Sequence, residues 1–477
     1  MRKVIIYYDD SRIPSLEIRT ITGGVSYGNT IFKRVSLKER ARKLFLAQEL
    51  VKSFVCDDEA AIEEVIEKNR DCSVVRVFSD FQVTDTRKLG VILEKSLYAK
   101  EIYGITVKGL LCGVIYPCPK WSEEGNISYR NIDFDNFKDS DYSCIETDCF
   151  LSLRDVNNFR GFITSGFDAR FFNALDGDEY TVVKRSTNVE KLRKEYKYFT
   201  LLPDTMRMWY AYVYDYRESD SEASYTIERY HMTDLALRYI HGAISTDEFR
   251  TILNKLFYFI SKRCVKEVTK EEYISQEKSL YVDKVLERIE QLKSCKEYDS
   301  LEKYIKLGTK YAGIDGIVEK YLSLYEKIVS SKQFMKVSVV GHGDLCFSNI
   351  LYNDEAQLLR LIDPKGALNE EDLYMNPYYD IAKLSHSVQG LYDYFNADQF
   401  EIKIDEDMQL SLHFDCDNSE YMKIFNECLI ENRIDPKLIR LYEASLFLSM
   451  LPLHIDREKK VLGFVLNAIK ILEELDS

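Results

Sequence analysis

Gly341-His342-Gly343-Asp344-Leu345-Cys346-Phe347-Ser348-Asn349-Ile350-Leu351, followed by the turn Asn353-Asp354 and then by Leu361-Ile362-Asp363-Pro364-Lys365-Gly366, is the stretch on which the reading of this chain turns. The apolar runs Val337 to Val340, Ile350 to Tyr352 and Leu358 to Ile362 are β-like, and the turn residues between the last two predict a hairpin. An aspartate, an asparagine on the same loop and an aspartate at the end of the next strand are thereby gathered. All three offer oxygen, so any metal here would be a hard ion.

The rest of the composition narrows the field. A chain of 477 residues exceeds one ordinary core, so two or three domains are expected. A hydrophobic share of 45% with 30% charged residues is that of a folded globular protein. The formal charge of -14 opposes unspecific binding to nucleic acid or anionic membrane, so no nucleic-acid partner is expected. No apolar run is long enough for a membrane span, and the start MRKVIIYYDDSR is no signal peptide, so a cytoplasmic protein is expected. Its 11 cysteines contain no CxxC pair and its 6 histidines no metal-binding spacing, which excludes a common zinc site.

Working outward from the decisive stretch, residues 1–155 alternate β-like and helical runs: Val4 to Tyr8, Leu37 to Val55 (helical), Val74 to Phe78, Leu89 to Leu97 (helical) and Gly109 to Tyr116. This predicts an α/β, Rossmann-like domain with a largely parallel sheet. Residues 156–232 read as a small mixed sheet. Strands Arg170 to Leu175 and Tyr180 to Lys184 flank Asp176-Gly177-Asp178-Glu179, a helix capped by Asn188 follows, and further strands cover Met208 to Tyr216 and Ser224 to Tyr230. Residues 233–477 are mostly amphipathic helix.

Phosphoryl transfer needs one carboxylate to orient an attacking hydroxyl, and an amide with a second carboxylate to hold magnesium on the phosphates. The spacing from Asp344 to Asn349 equals that of the HRDxxxxN catalytic loop, and Asp363 stands where a DFG aspartate would. These residues resemble the HGDxxxxN and Ile-Asp signature of the aminoglycoside phosphotransferase and choline kinase family. That resemblance, from about Gly161 onward and densest from Val340 to Asp380, implies an α+β protein-kinase-like bilobal fold with a helical C-terminal lobe.

It also implies roles. Asp344 would be the catalytic carboxylate; Asn349 and Asp363 would hold Mg2+; Lys184, in a strand similar to VAIK, would contact the ATP phosphates. Glu195 would brace that lysine, with Glu190 as the other assignment. Ser165 and Gly166, in a loop with a single glycine, would cover the phosphates, and backbone groups near Glu228 and Tyr230 would bind adenine. Asp380, in a segment resembling the YDIA element, would brace the loop. His342 is expected to fix the loop through a backbone hydrogen bond, with direct acid–base action as the other reading. Lys365 reads either as an exposed lysine or as a contact for phosphate or an anionic acceptor. Tyr374, Tyr378 and Tyr379 read as core or as a stacking surface.

The first domain faintly resembles sugar nucleotidyltransferases, with Asp80 at the place of their metal-binding aspartate, although Ile6 to Arg12 offers no glycine for phosphate. A degenerate or non-catalytic relative, a binding or assembly module, is the reading preferred for it. Such a fusion resembles proteins of bacterial capsule synthesis. The expectation is therefore an ATP- and Mg2+-dependent kinase acting on a hydroxyl of a small sugar, polyol or amino alcohol in capsule biosynthesis, with oligomer formation open. A pseudokinase scaffold and a bifunctional nucleotidyltransferase-kinase are the alternatives.

Overall fold

The computed structural model describes residues 2–22, 25–56, 58–118, 143–163, 175–177, 180–332 and 334–477. The chain divides into two compact units, one of residues 1–165 with His241–Ala243, the other of residues 166–240 and 244–477.

In the first unit six strands lie in the order Val51–Cys56, Val4–Asp9, Ser73–Phe78, Leu110–Tyr116, Tyr103–Val107, Ser143–Glu146. Val4–Asp9 pairs in parallel with both neighbours and every one of its residues is buried, as a central α/β strand requires. The helices Leu37–Leu46, Glu59–Lys68 and Thr86–Ser96 start at Ser36, Asp58 and Asp85, whose side chains accept first-turn N–H groups. Ile62, Leu89, Ile92 and Leu93 pack into the core of the sheet.

The sheet is mixed, not largely parallel, because Lys108 and Gly109 both take positive φ (49° and 74°) in a tight turn that folds Tyr103–Val107 against Leu110–Tyr116. That turn type suits the twist of a hairpin, and Leu110–Tyr116 consequently runs antiparallel to Ser73–Phe78. The helix predicted over 37–55 stops at Leu46, and Val51–Cys56 is a strand. Helix Val156–Ile163 also belongs with the first unit: Arg160 pairs with Glu17 at 2.9 Å and Phe159 meets the Tyr27 ring.

The second unit opens with an antiparallel sheet in the order Leu175–Gly177, Thr181–Ser186, Ala223–Glu228, Val213–Glu218. Of the strand predicted from Arg170, residues 170–174 lie outside the described residues. Helix Val189–Leu201 begins at Asn188, whose side chain accepts the Lys191 N–H at 3.0 Å. Leu192, Glu195, Tyr198 and Phe199 share its buried face. Most of the remainder is helical, from Thr246–Ser261 to Glu458–Asp476, around an extensive aliphatic and aromatic core. Two three-stranded sheets interrupt the helices, and the decisive stretch lies on them: Val337–Val340 in one, the antiparallel hairpin Ile350–Asn353 with Leu358–Leu361 in the other. Among the described residues no helix is long and apolar enough to cross a membrane. Among the described residues no disulfide links the cysteines.

Candidate active site

Strand Val337–Val340 delivers the chain into Gly341-His342-Gly343. Gly343 has φ 78°, and an added Cβ would stand 2.6 Å from Lys365 Cβ, so only glycine fits this turn. His342 is buried. Its Nδ1 accepts the Asp344 N–H at 3.2 Å, which leaves Nε2–H to donate to the Ile362 carbonyl at 2.8 Å. Burial lowers its pKa, so a neutral ring ties the loop to the strand that leads to Asp363.

The loop is held from behind by Asp380, fully buried at the start of helix Tyr379–Val388. One of its oxygens accepts the His342 N–H at 3.0 Å, the other the Gly343 N–H at 2.8 Å. Buried Arg263 completes the arrangement, donating to Asp380 at 3.1 Å and to the Pro377 carbonyl at 2.8 Å. Two backbone N–H groups and a guanidinium thus surround the buried carboxylate, the compensation that such a group needs away from water.

Asp344 is placed by this frame with its side chain 42% exposed. Asn349 donates its amide N–H to the Asp344 carbonyl at 2.8 Å and to Oδ2 at 3.1 Å. The other oxygen, Oδ1, faces Lys383 Nζ at 2.9 Å. Desolvation works against the charged form, but the Lys383 ammonium, aided by the Asn349 amide, outweighs it and holds the pKa below the usual carboxylate value. Asp344 is therefore ionised at neutral pH.

Asp363 follows the strand Leu358–Leu361 with φ 55°, a left-handed conformation that aspartate tolerates better than most residues. Its Oδ1 meets Lys184 Nζ at 2.7 Å, and Lys184 also pairs with Glu195, which takes a hydrogen bond from Tyr225. Burial opposes the lysine charge, yet Asp363 and Glu195 together raise its pKa. Glu195 is itself pushed upward, first by burial and then by repulsion from Asp363, because two carboxylates share one ammonium. Gly366 (φ 95°) lets the chain pass so close to the Glu195 helix that a Cβ there would stand 2.8 Å from the Lys194 backbone.

Lys184, Glu195 and Asp363 are thus one connected group; Asp344, Asn349 and Lys383 are a second. The Ile362 N–H donating to the Asn349 carbonyl at 3.0 Å joins the two through the backbone. Glu190 pairs with Lys194 on the surface, away from Lys184. Ser165 and Gly166 lie outside the described residues. Glu228 and Tyr230 bond each other, phenol to carboxylate at 2.7 Å, and the Glu228 N–H is occupied by the Tyr212 carbonyl. Lys365 is exposed, its N–H bonded to His342; Tyr379 is buried and accepts from Lys284 at 3.1 Å.

The donor set fits a magnesium nucleotide. Asn349 spends its nitrogen on the loop, which leaves the amide oxygen for a cation, and Asp363 is 28% exposed with one oxygen on Lys184. Among the described residues no group of three metal-ligating side chains exists. Magnesium needs none, since it keeps water and phosphate oxygens and takes only one or two protein ligands.

In the first unit Asp80 does not have a free carboxylate for a metal. It is fully buried; both oxygens take Arg12, at 3.0 and 3.1 Å, and Arg154 adds a further bond.

Sequence reasoning assigned no role to Lys383, Arg263 or Tyr225. Lys383 had a local signal, standing one helical turn after Asp380 and so on the same helix face; the other two come from distant segments.

No family model matches the chain, and no curated protein matches it. Among solved structures, a thermostable mutant of aminoglycoside phosphotransferase APH(4)-Ia in apo form is similar at 11% identity, covering 64% of this chain and 97% of that one, with a TM-score of 0.36. An aminoglycoside phosphotransferase from Streptomyces rimosus, solved with ADP and streptomycin, is similar at 14% identity over 62% of this chain and 98% of that one, TM-score 0.33. A type VIII aminoglycoside-3'-phosphotransferase gives 12% identity, 59% and 95%, and a TM-score of 0.32.

Proposed function

We propose that the second unit is a protein-kinase-like domain that binds ATP with Mg2+ and transfers the γ-phosphoryl group to a hydroxyl of a sugar, polyol or amino alcohol. The observation that carries this reading is the connection of Lys184, Asp363 and Glu195 to Asp344 and Asn349 around one braced loop. In this reading Asp344 orients the acceptor hydroxyl and takes its proton, and Lys184, steadied by Glu195, positions the phosphates. Asn349 and Asp363 would hold the magnesium, which when bound offsets charge on the β- and γ-phosphates. The ionised state of Asp344 suits a proton acceptor at neutral pH.

Capsule biosynthesis in the cytoplasm is the setting proposed with it. For the first unit the reading is a binding or assembly module, because the carboxylate at the place of a nucleotidyltransferase's metal ligand is taken by two guanidinium groups. A screen of sugars, polyols and amino alcohols for stimulated ADP formation tests the proposal. A hit must disappear in Asp344→Asn, whose ATP affinity stays at the wild-type value. ADP formation that survives in that variant contradicts the assignment.

A further inference from the structure

Helix Tyr379–Val388 touches the loop at two places on one face. Asp380 takes the backbone N–H groups of His342 and Gly343, and one turn later Lys383 reaches the carboxylate of Asp344, 2.9 Å from Nζ to Oδ1. Residues three apart on a helix stand one above the other, so a single rigid element fixes both the path of the loop and the charge beside Asp344. The Lys383 side chain is 14% exposed against 42% for Asp344, so the lysine is largely covered yet not sealed off beside the more open carboxylate. Among the described residues Asp344 is its only ion-pair partner. An ammonium has three N–H donors, and one carboxylate oxygen does not use them all.

Resting on the reading above, we propose that Lys383 meets the γ-phosphoryl group of the bound nucleotide while holding Asp344 in place. A hydroxyl held by Asp344 for in-line attack lies roughly 3–3.5 Å from the phosphorus. The Lys383 ammonium sits on that same carboxylate, at the end of a flexible four-carbon stem, and so reaches the oxygens of the transferred group. Those oxygens carry the charge of the transition state and require cations around them. Lys184 is already shared by Asp363 and Glu195. Lys383 is the cation on the acceptor side. The plainer account makes Lys383 only a counter-ion for Asp344, and the two differ in what they say about nucleotides.

The test is calorimetric titration of the full chain with Mg·ATP and with Mg·ADP, for wild type, Lys383→Met and Lys383→Arg, with a thermal melt of each. The expected result is a loss of roughly 10- to 100-fold in ATP affinity for Lys383→Met, ADP affinity within about twofold of wild type, and recovery in Lys383→Arg. Affinities for ATP and ADP that stay put, or fall together, overturn the proposal and leave a counter-ion. Should Lys383→Met fail to melt cooperatively, Lys383→Gln replaces it with the same expected split. A wild-type chain that binds neither nucleotide refutes the kinase reading itself, and the Lys383 proposal falls with it; a wild type that binds both without a Lys383-dependent preference refutes the Lys383 proposal alone.

Discussion

In the first unit Asp9 and Asp80, at or just past the ends of Val4–Asp9 and Ser73–Phe78, are buried and matched by guanidinium groups: Arg76 on Asp9, Arg12 and Arg154 on Asp80. In the second unit Asp344 and Asp363 also sit beyond strand ends, but they are partly open and each faces a lysine. On Asp80 guanidinium groups take both oxygens, and on Asp9 Arg76 takes Oδ2 while the Ser11 N–H takes Oδ1, whereas on Asp363 the Lys184 ammonium, a point charge, takes Oδ1. The same residue type at similar positions is therefore closed structure in one region and an open site in the other. This contrast, more than any single motif, separates the two units.

The most forceful way to break the contrast is Asp344→Asn. It should lower phosphoryl transfer by roughly 10²- to 10⁴-fold, the usual worth of a positioned proton acceptor. ADP formation with a responsive acceptor measures it, and nucleotide affinity should not change.

The first unit offers the converse. Replacing both Arg12 and Arg154 by methionine leaves the buried Asp80 charge uncompensated and should cost about 3–5 kcal/mol, read by urea unfolding. ATP affinity should be untouched. A stable double variant would mean that the Asp80 cluster is not the closed structure described.

A smaller effect sharpens the picture inside the second unit. Burial raises the pKa of Asp393 to about 7. The folded state then binds a proton that the unfolded chain has released, so this contribution is full below pH 4 and is lost as pH rises towards 7. Stability should fall by about 2 kcal/mol between pH 5 and 7, and Asp393→Asn should flatten the slope. Denaturant midpoints over that range decide the matter.

What could be read from the sequence follows the range of the interactions. The HGDxxxxN loop, its hairpin and the Asn188-capped helix are local patterns, so Asp344, Asn349, Asp363 and Glu195 could be named from spacing and from the family resemblance together. The turn at Lys108-Gly109 was legible in principle but hidden by the missed strand Tyr103–Val107, and without it the sheet reads as parallel. The closure of Asp80 was not legible, because Arg12 and Arg154 reach it from 68 and 74 residues away. Lys383 directly follows the YDIA-like segment, yet its charge acquires meaning only once the loop is folded over it. Local chemistry announced the open site; long-range pairing made the closed one.

The most direct test of the central claim is titration of the full chain with ATP, with and without Mg2+, for wild type and Asp363→Ala. The account predicts magnesium-dependent binding in the wild type and, in the variant, affinity lowered by roughly 10- to 100-fold with the magnesium dependence gone. Equal ATP affinity in the two proteins, or binding indifferent to magnesium in the wild type, would contradict it.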